Sequence, residues 1–141
     1  RGSLFTADDL PAWLLLGVVM LWIGGFDIIY ACQDVEADRE AGLHAIPARF
    51  GVPVALAVSS LCHVITITLL IALGQTLALG WPYWLGLAII AGLLIYEHSL
   101  VRPNDLSRVN VAFFNINSYI SVTLLVSVLG ALFLVNGLNG F

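Results

Sequence analysis

Residues 50–96 read FGVPVALAVSSLCHVITITLLIALGQTLALGWPYWLGLAIIAGLLIY, without one Asp, Glu, Lys or Arg. A transmembrane helix needs about 20 consecutive apolar residues. This stretch holds two such segments, parted by a Gly-, Pro- and Trp-rich turn from Gly74 to Pro82. Charge-free runs at Leu10–Phe26 and Val109–Phe141 flank it on either side. Over the whole 141-residue chain 60% of residues are hydrophobic and 10% charged, and the mean hydropathy is +1.00. A water-soluble domain carries about 25% charged residues, so lipid is the solvent for most of this surface. The segments are apolar around their whole circumference, which excludes amphipathic surface helices. Lipid admits only helices and closed barrels, because every backbone N–H and C=O must find an internal partner. Period-two alternation is missing, so the expected fold is all-α: a polytopic transmembrane helical bundle with four spans.

Those spans take their limits from local breakers. The first starts at Asp9-Leu10-Pro11, where an Asp cap and an early Pro suit a helix start. It runs through Trp22 and Asp27 and is expected to continue past Cys32 until Gly42 and Pro47 end the pattern. The second covers Val52–Leu73 and the third Tyr83–Val101, stopped by Arg102-Pro103-Asn104. The fourth runs from Asp105 to Val135 and leaves Asn136–Phe141 as a loose tail. Arg39 and Arg49 follow the first span, and Arg102 and Arg108 the third, so all four belong to one side of the bilayer. The positive-inside rule makes that side cytoplasmic, in an inner (cytoplasmic) membrane crossed several times. Trp13, Trp81, Tyr83 and Trp84 suit an aromatic belt at the other surface. With 5 Arg, no Lys and 9 acidic residues the net charge is −4, which excludes a face that follows nucleic-acid phosphates. Cys32 and Cys62 read as unpaired small hydrophobes. A first residue of Arg1 instead of Met reads as a fragment or a processed piece, with no cleavable signal before the first apolar run.

The chemistry concentrates where the first span meets its loop, in Asp27-Ile28-Ile29-Tyr30-Ala31-Cys32-Gln33-Asp34-Val35-Glu36-Ala37-Asp38-Arg39. On one continuous helix Asp27, Asp34 and Asp38 fall within about 40° of each other, with Tyr30 about 60° to one side. Like charges on one stripe repel, and an Asp at bilayer depth costs about 2.5 kcal/mol or more. Divalent cations relieve both penalties. Two carboxylates are too few for Ca²⁺, which takes six to eight oxygens. They suit Mg²⁺, which keeps several waters and takes further ligands from substrate phosphates. The stretch has no zinc-like His or Cys spacing. A solvated acidic loop, with Asp34, Glu36, Asp38 and Glu40 facing water, is the competing reading, and the depth of Asp27 speaks against it.

Asp27-x-x-Tyr30-Ala31-x-x-Asp34-x-x-x-Asp38-Arg39-x-x-Gly42-Leu43, followed by Ile46-Pro47-x-Arg49-Phe50-Gly51, resembles the second aspartate-rich motif of UbiA-type aromatic prenyltransferases. Tyr96-Glu97-His98-x-Leu100-Val101-x-Pro103-x-Asp105-Leu106-Ser107-Arg108-Val109-Asn110-x-Ala112-Phe113-Phe114, with Asn117 beyond, is similar to the same family, in its bacterial 4-hydroxybenzoate polyprenyltransferase-like branch. The resemblance implies nine-span bundles that join a polyprenyl diphosphate to a small aromatic acceptor, with Mg²⁺ held by two aspartate-rich motifs. Carried over, Asp34 and Asp38 hold Mg²⁺ on the diphosphate and Asp27 supports them. Tyr30 faces the allylic cation, Arg39 and Arg49 pair with the diphosphate, and Asn110 looks into the polar cavity. The family's Ser before Ile-Pro is Ala45 here, and its first motif, Asn-Asp-x-x-Asp-x-x-x-Asp, has no counterpart. Residues 1–141 therefore resemble the C-terminal half of one transmembrane domain, with four of nine spans, dependent on its N-terminal half and inactive alone.

Other polar residues carry lighter readings. His63 is expected as a neutral imidazole bonded to a neighbouring helix, and His44 as a solvated loop residue. Glu97 and His98 either shape the acceptor end of the pocket or pair with Arg102 or Arg108. Asn110 and Asn117 share a helix face, Asn115 serves as interhelical glue, and Ala88 with Gly92 reads as a small-residue packing pair. Two other classes stay open: half of a cation-conducting transporter or channel, and a non-enzymatic membrane subunit. The acceptor, whether 4-hydroxybenzoate, a dihydroxynaphthoate or another phenol, and the prenyl length are not decided by these residues.

Overall fold

The structure, a computed structural model, describes the backbone of residues 9–138 and the side chains of residues 9–134. Four helices are long and apolar enough to cross a membrane. They are α1 (Leu10–Ala31), α4 (Val52–Thr76), α5 (Trp81–Leu100) and the last span. That span opens with a π-helical segment, Val111–Ile116, and continues as α6 (Asn117–Leu138). Two short helices, α2 (Val35–Glu40) and α3 (Ile46–Phe50), fill the loop between α1 and α4. Pro11, Pro47, Pro53 and Pro82 each lie in the first turn of a helix, where the missing N–H costs nothing and the fixed φ favours helical entry.

The four-span, all-helical expectation holds, and several details differ from it. α1 does not run on to Asp38. It stops at Ala31, and the amides of Cys32, Gln33 and Asp34 turn back only three residues, to the carbonyls of Ile29, Tyr30 and Ala31. Asp34 then stands at the cap position of α2. Gly42 at φ +70° closes α2, with Gly42 N–H donating to Arg39 O and Leu43 N–H to Asp38 O, a Schellman termination that an L side chain would strain. The last span starts later than expected. Arg102–Asp105 form a tight turn with reciprocal backbone bonds of 3.0 and 3.1 Å, so helix resumes only at residue 109. The π-helical stretch adds residues per turn and breaks the simple 3.6-residue register expected for Asn110 and Asn117. α6 carries on through residues 136–138, the start of the expected loose tail, whereas Arg1 and the final three residues lie outside the described part.

α1 packs along α4 and α5 along α6, and α4–α5 contacts join the two pairs. One apolar cluster, with Phe26, Ile29, Ile90, Leu94 and Val109, lies toward the end that bears the arginine loops. A second, with Val18, Leu70, Tyr83, Leu87 and Ala131, lies toward the other end. Side-chain bonds to backbone cross the helix contacts: Ser59 Oγ donates to Gly25 O at 2.8 Å and Tyr83 OH to Leu70 O at 2.7 Å. Tyr83 is therefore buried in the bundle and is no part of an aromatic belt, while Trp13, Trp81 and Trp84 are exposed. Both cysteines are free, as expected.

The small-residue contact also falls elsewhere than Ala88 and Gly92. Ala88 and Gly92 face outward, and a Cβ on Gly92 meets nothing within 4 Å among the described residues. Gly86 instead is buried against α6, where a Cβ collides with the side chain of Ser127. Close approach at small residues replaces the hydrophobic driving force that helix pairs lack in lipid. Gly86→Leu is expected to destabilise the bundle by about 1–3 kcal/mol through overpacking, and Gly92→Leu to change little. Thermal unfolding of both variants in detergent checks the contrast.

Candidate functional site

Two polar groupings arise from this architecture. The first surrounds the break after α1. Asp27 lies exposed on the last turns of α1, and Asp34 lies exposed at the bend. Asp38 is half-buried within α2. The single helical stripe is thus divided between two helices, and the spacing of Asp34 and Asp38 survives as one turn, with Asp38 N–H donating to Asp34 O at 2.8 Å. Asp34 spends no side-chain bond on capping α2, so its carboxylate stays available. Tyr30, 37% exposed, packs against Phe113 with centroids 4.6 Å apart and ring planes tilted by 40°, and meets Phe114 edge-on at 6.2 Å.

The second half of the sequence reaches the same end of the bundle. Gln33 Nε2 donates to Asn110 Oδ1 across 3.5 Å, so Asn110, itself exposed, stands beside the break that carries Asp34. Arg39 and Arg49 share a cavity of about 410 Å³ with Leu43, His44 and Ala48. Arg39 Nε donates to Ala48 O at 2.8 Å, tying α2 to α3. Its terminal nitrogens have no bond among the described residues, and the Arg49 guanidinium lies 5.2 Å over the Phe50 ring. Guanidinium groups suit bidentate capture of phosphate oxygens.

The turn on the far side of Asn110 is rigidified by Asp105. Its Oδ1 accepts from Ser107 Oγ at 2.6 Å and from Ser107 N–H at 3.0 Å. These bonds, foremost the hydroxyl, stabilise the charged form and hold its carboxyl below the usual range, with a smaller contribution from Arg108 and Arg102. The bonds are present above that lowered value and vanish as pH falls through it. Ser107→Ala is expected to raise the Asp105 titration midpoint toward an ordinary aspartate, measured by carboxyl NMR.

The second grouping is the one sequence reasoning missed as a unit. His63 on α4 and Glu97 and His98 on α5 bring one ligand atom each within 4.8 Å of the others, a cluster capable of coordinating a divalent metal ion. His63 is bonded to a neighbouring helix, as expected: its Nε2 lies 3.3 Å from Trp22 O. Its Nδ1 lies 3.0 Å from His98 Nε2 and 3.5 Å from Glu97 Oε2. Glu97 is fully buried and pairs with neither Arg102 nor Arg108; both its oxygens lack a hydrogen bond among the described residues. A cavity of about 420 Å³ between α4 and α5, lined by Ser60, His63, Val64, Leu94, Ile95 and His98, reaches the cluster. The signal for it was present in the sequence: His63 alone interrupts the apolar run 50–96 with an imidazole, and Glu97-His98 follows directly. Only the pairing of α4 with α5 joins them.

Among the described residues, Asp27, Asp34 and Asp38 form no such three-ligand cluster. No curated protein and no solved structure shows significant similarity to this chain. Residues 1–119 match the UbiA prenyltransferase family, a span that includes the acidic break, the arginine cavity and the π-helical segment. The chain belongs to the UbiA prenyltransferase family.

Proposed function

We propose that this chain supplies one half of the active site of a membrane-embedded, Mg²⁺-dependent enzyme that moves a polyprenyl group from its diphosphate to an aromatic ring. The N-terminal half of the same protein supplies the other aspartate-rich motif. The single observation that carries the reading is the meeting, at one bundle end, of the Asp34–Asp38 pair, the Arg39–Arg49 cavity and Asn110. Family membership supports prenyl transfer as the chemistry such a meeting serves. The 4-hydroxybenzoate-like branch, and with it a step in quinone formation, rests on the Tyr96–Asn117 motif.

The donor set fits the metal. Asp34 and Asp38 offer hard oxygens one turn apart, and among the described residues no third His, Cys, Asp or Glu completes a metal-holding group with them. That is the pattern of Mg²⁺, which binds through one or two carboxylates and completes its shell with water and phosphate. Asp34 and Asp38 would hold such an ion, which would supply charge stabilisation for a departing diphosphate.

Each side chain then has a physical task. Asp34 and Asp38 hold the cation, and Asp27 supports them through its negative field from α1. Arg39 and Arg49 grip diphosphate oxygens and keep the leaving group in place. The allylic C–O bond breaks with its electron pair on the diphosphate, and the electron-rich ring carbon forms the new C–C bond. The displaced ring proton leaves to a base or to water. Tyr30, packed on Phe113, turns a π face toward the developing cation. Asn110 orients polar groups at the pocket mouth, and the apolar bundle shelters the isoprenoid tail from water. The four loop arginines favour a cytoplasmic placement of this end, in the inner membrane.

In the intact protein that carries this chain, Asp34→Asn and Asp38→Asn are each expected to lower prenyl transfer by about 100-fold or more, the scale of losing one electrostatic partner of a transition state. Thermal stability of the bundle stays near that of the parent. Chelation of Mg²⁺ abolishes transfer and added Mg²⁺ restores it. Near-parental rates in either variant overturn the metal assignment, and a detergent-based assay with a labelled prenyl diphosphate reads them.

A further inference from the structure

We infer that His63, Glu97 and His98 form a second metal site, separate from the aspartates and selective for a borderline divalent ion of the Zn²⁺ class. Hydrogen-bond direction carries the argument. Trp22 O only accepts, so the His63 Nε2 that faces it at 3.3 Å bears the proton, and Nδ1 presents a lone pair. Ser60 Oγ gives its one hydrogen to Leu56 O at 2.9 Å. It therefore accepts from His98 Nδ1, 3.3 Å away, and His98 Nε2 presents a lone pair as well. These two lone pairs face one another at 3.0 Å, with a Glu97 oxygen 3.5 Å from the first. Two imidazole nitrogens and a Glu97 oxygen thus converge in a buried place, and both Glu97 oxygens lack a hydrogen bond among the described residues.

A cation resolves that arrangement. An imidazole ligand commonly donates its other ring N–H to a carbonyl or another acceptor, which fixes ring and tautomer, and both histidines already do so. Two nitrogens on one tetrahedral zinc stand about 3.3 Å apart, given Zn–N distances of about 2.0–2.1 Å, so the observed spacing needs a shift of only a few tenths of an ångström. Two imidazoles and a carboxylate make a three-ligand set that leaves a fourth position open, and this donor mixture selects Zn²⁺ over Mg²⁺. The cavity between α4 and α5 gives that fourth position room. Neighbouring residues are shaped for the ring: Phe26 packs on His63 at 5.0 Å, and a Cβ on Gly25 would strike His63 Nε2. An ion held there cross-links α4 to α5, with α1 bracing the ring through Trp22.

The test uses the intact protein that carries this chain, purified in detergent, stripped with chelator and kept in excess Mg²⁺ so that oxygen-only sites are filled. Zn²⁺ titration is expected to show one more tightly bound equivalent in the parent than in the His63→Asn/His98→Asn double variant. Ser60→Ala, a mild change that frees the His98 tautomer, is expected to weaken that equivalent about 10-fold, and Glu97→Gln about 100-fold. Pulsed EPR of the Cu²⁺-loaded parent is expected to show imidazole nitrogen coupling that survives His44→Ala. Equal Zn²⁺ uptake by parent and double variant overturns the site, as does Cu²⁺ without imidazole coupling in the parent. The EPR result does not depend on the double variant, so a double variant that fails to fold leaves the proposal decidable.

Discussion

Hydrocarbon cannot accept or donate a hydrogen bond, and the backbone of this bundle answers to that constraint. Along the four spans the backbone satisfies itself, so the chain is free to be apolar on all sides. Most polar side chains that enter the helices are turned onto carbonyls, as Ser59 to Gly25, Tyr83 to Leu70 and Thr66 to Cys62, and Glu97 stands apart with both oxygens unbonded among the described residues. Among the described residues the helix breaks and turns lie at span ends, and a π-helical segment opens the last span. The break at residues 32–34, the Schellman close at Gly42 and the turn at Arg102–Asp105 all lie where a span has finished and water is available. The acidic and arginine side chains of the α1–α4 loop follow the same rule, and Glu97, buried in α5, is the exception among the described residues.

Ending α1 at Ala31 has a functional consequence. A continuous helix would present Asp34 and Asp38 on a rigid rod pointing away from the bundle. The observed break lets α2 and α3 fold back, which places Arg39 beside Ala48 and Arg49 and leaves Asp34 near Gln33 and Asn110. The π-helical segment on the opposite side brings Phe113 and Phe114 against Tyr30. Opposing irregularities thus bring acidic, basic and aromatic side chains to one end of the bundle, the surroundings on which the proposed prenyl transfer relies.

The spans were legible because lipid imposes a crude code of length and hydropathy, readable residue by residue. Motif chemistry was legible too, since Asp34, Asp38 and Arg39 are local in sequence. What stayed hidden depends on which face of a helix meets which neighbour. Uniformly apolar helices have no stripe to reveal it. Tyr83 looked interfacial by composition and is buried because its hydroxyl finds Leu70 O. Between α5 and α6, Gly86 rather than Ala88 and Gly92 is a point of close approach, because Ser127 lies opposite. His63, Glu97 and His98 gain meaning only from contact between α4 and α5, across more than thirty positions of sequence. Helix continuity past Cys32 failed for a different reason: the stripe argument presumed one helix, whereas backbone at a water-exposed span end can turn without penalty.

At the centre of this account stands a cation shared between the acidic break and a substrate diphosphate. Mn²⁺ in place of Mg²⁺ makes that contact visible. An anomalous-scattering structure of the intact protein, bound to an unreactive thio-analogue of a prenyl diphosphate, tests it most directly. Manganese density bridging the carboxylates of Asp34 and Asp38 to diphosphate oxygens, with the tail among the helices, is the predicted result. A bound diphosphate without metal at these two residues, or with both carboxylates turned to bulk water, contradicts the account.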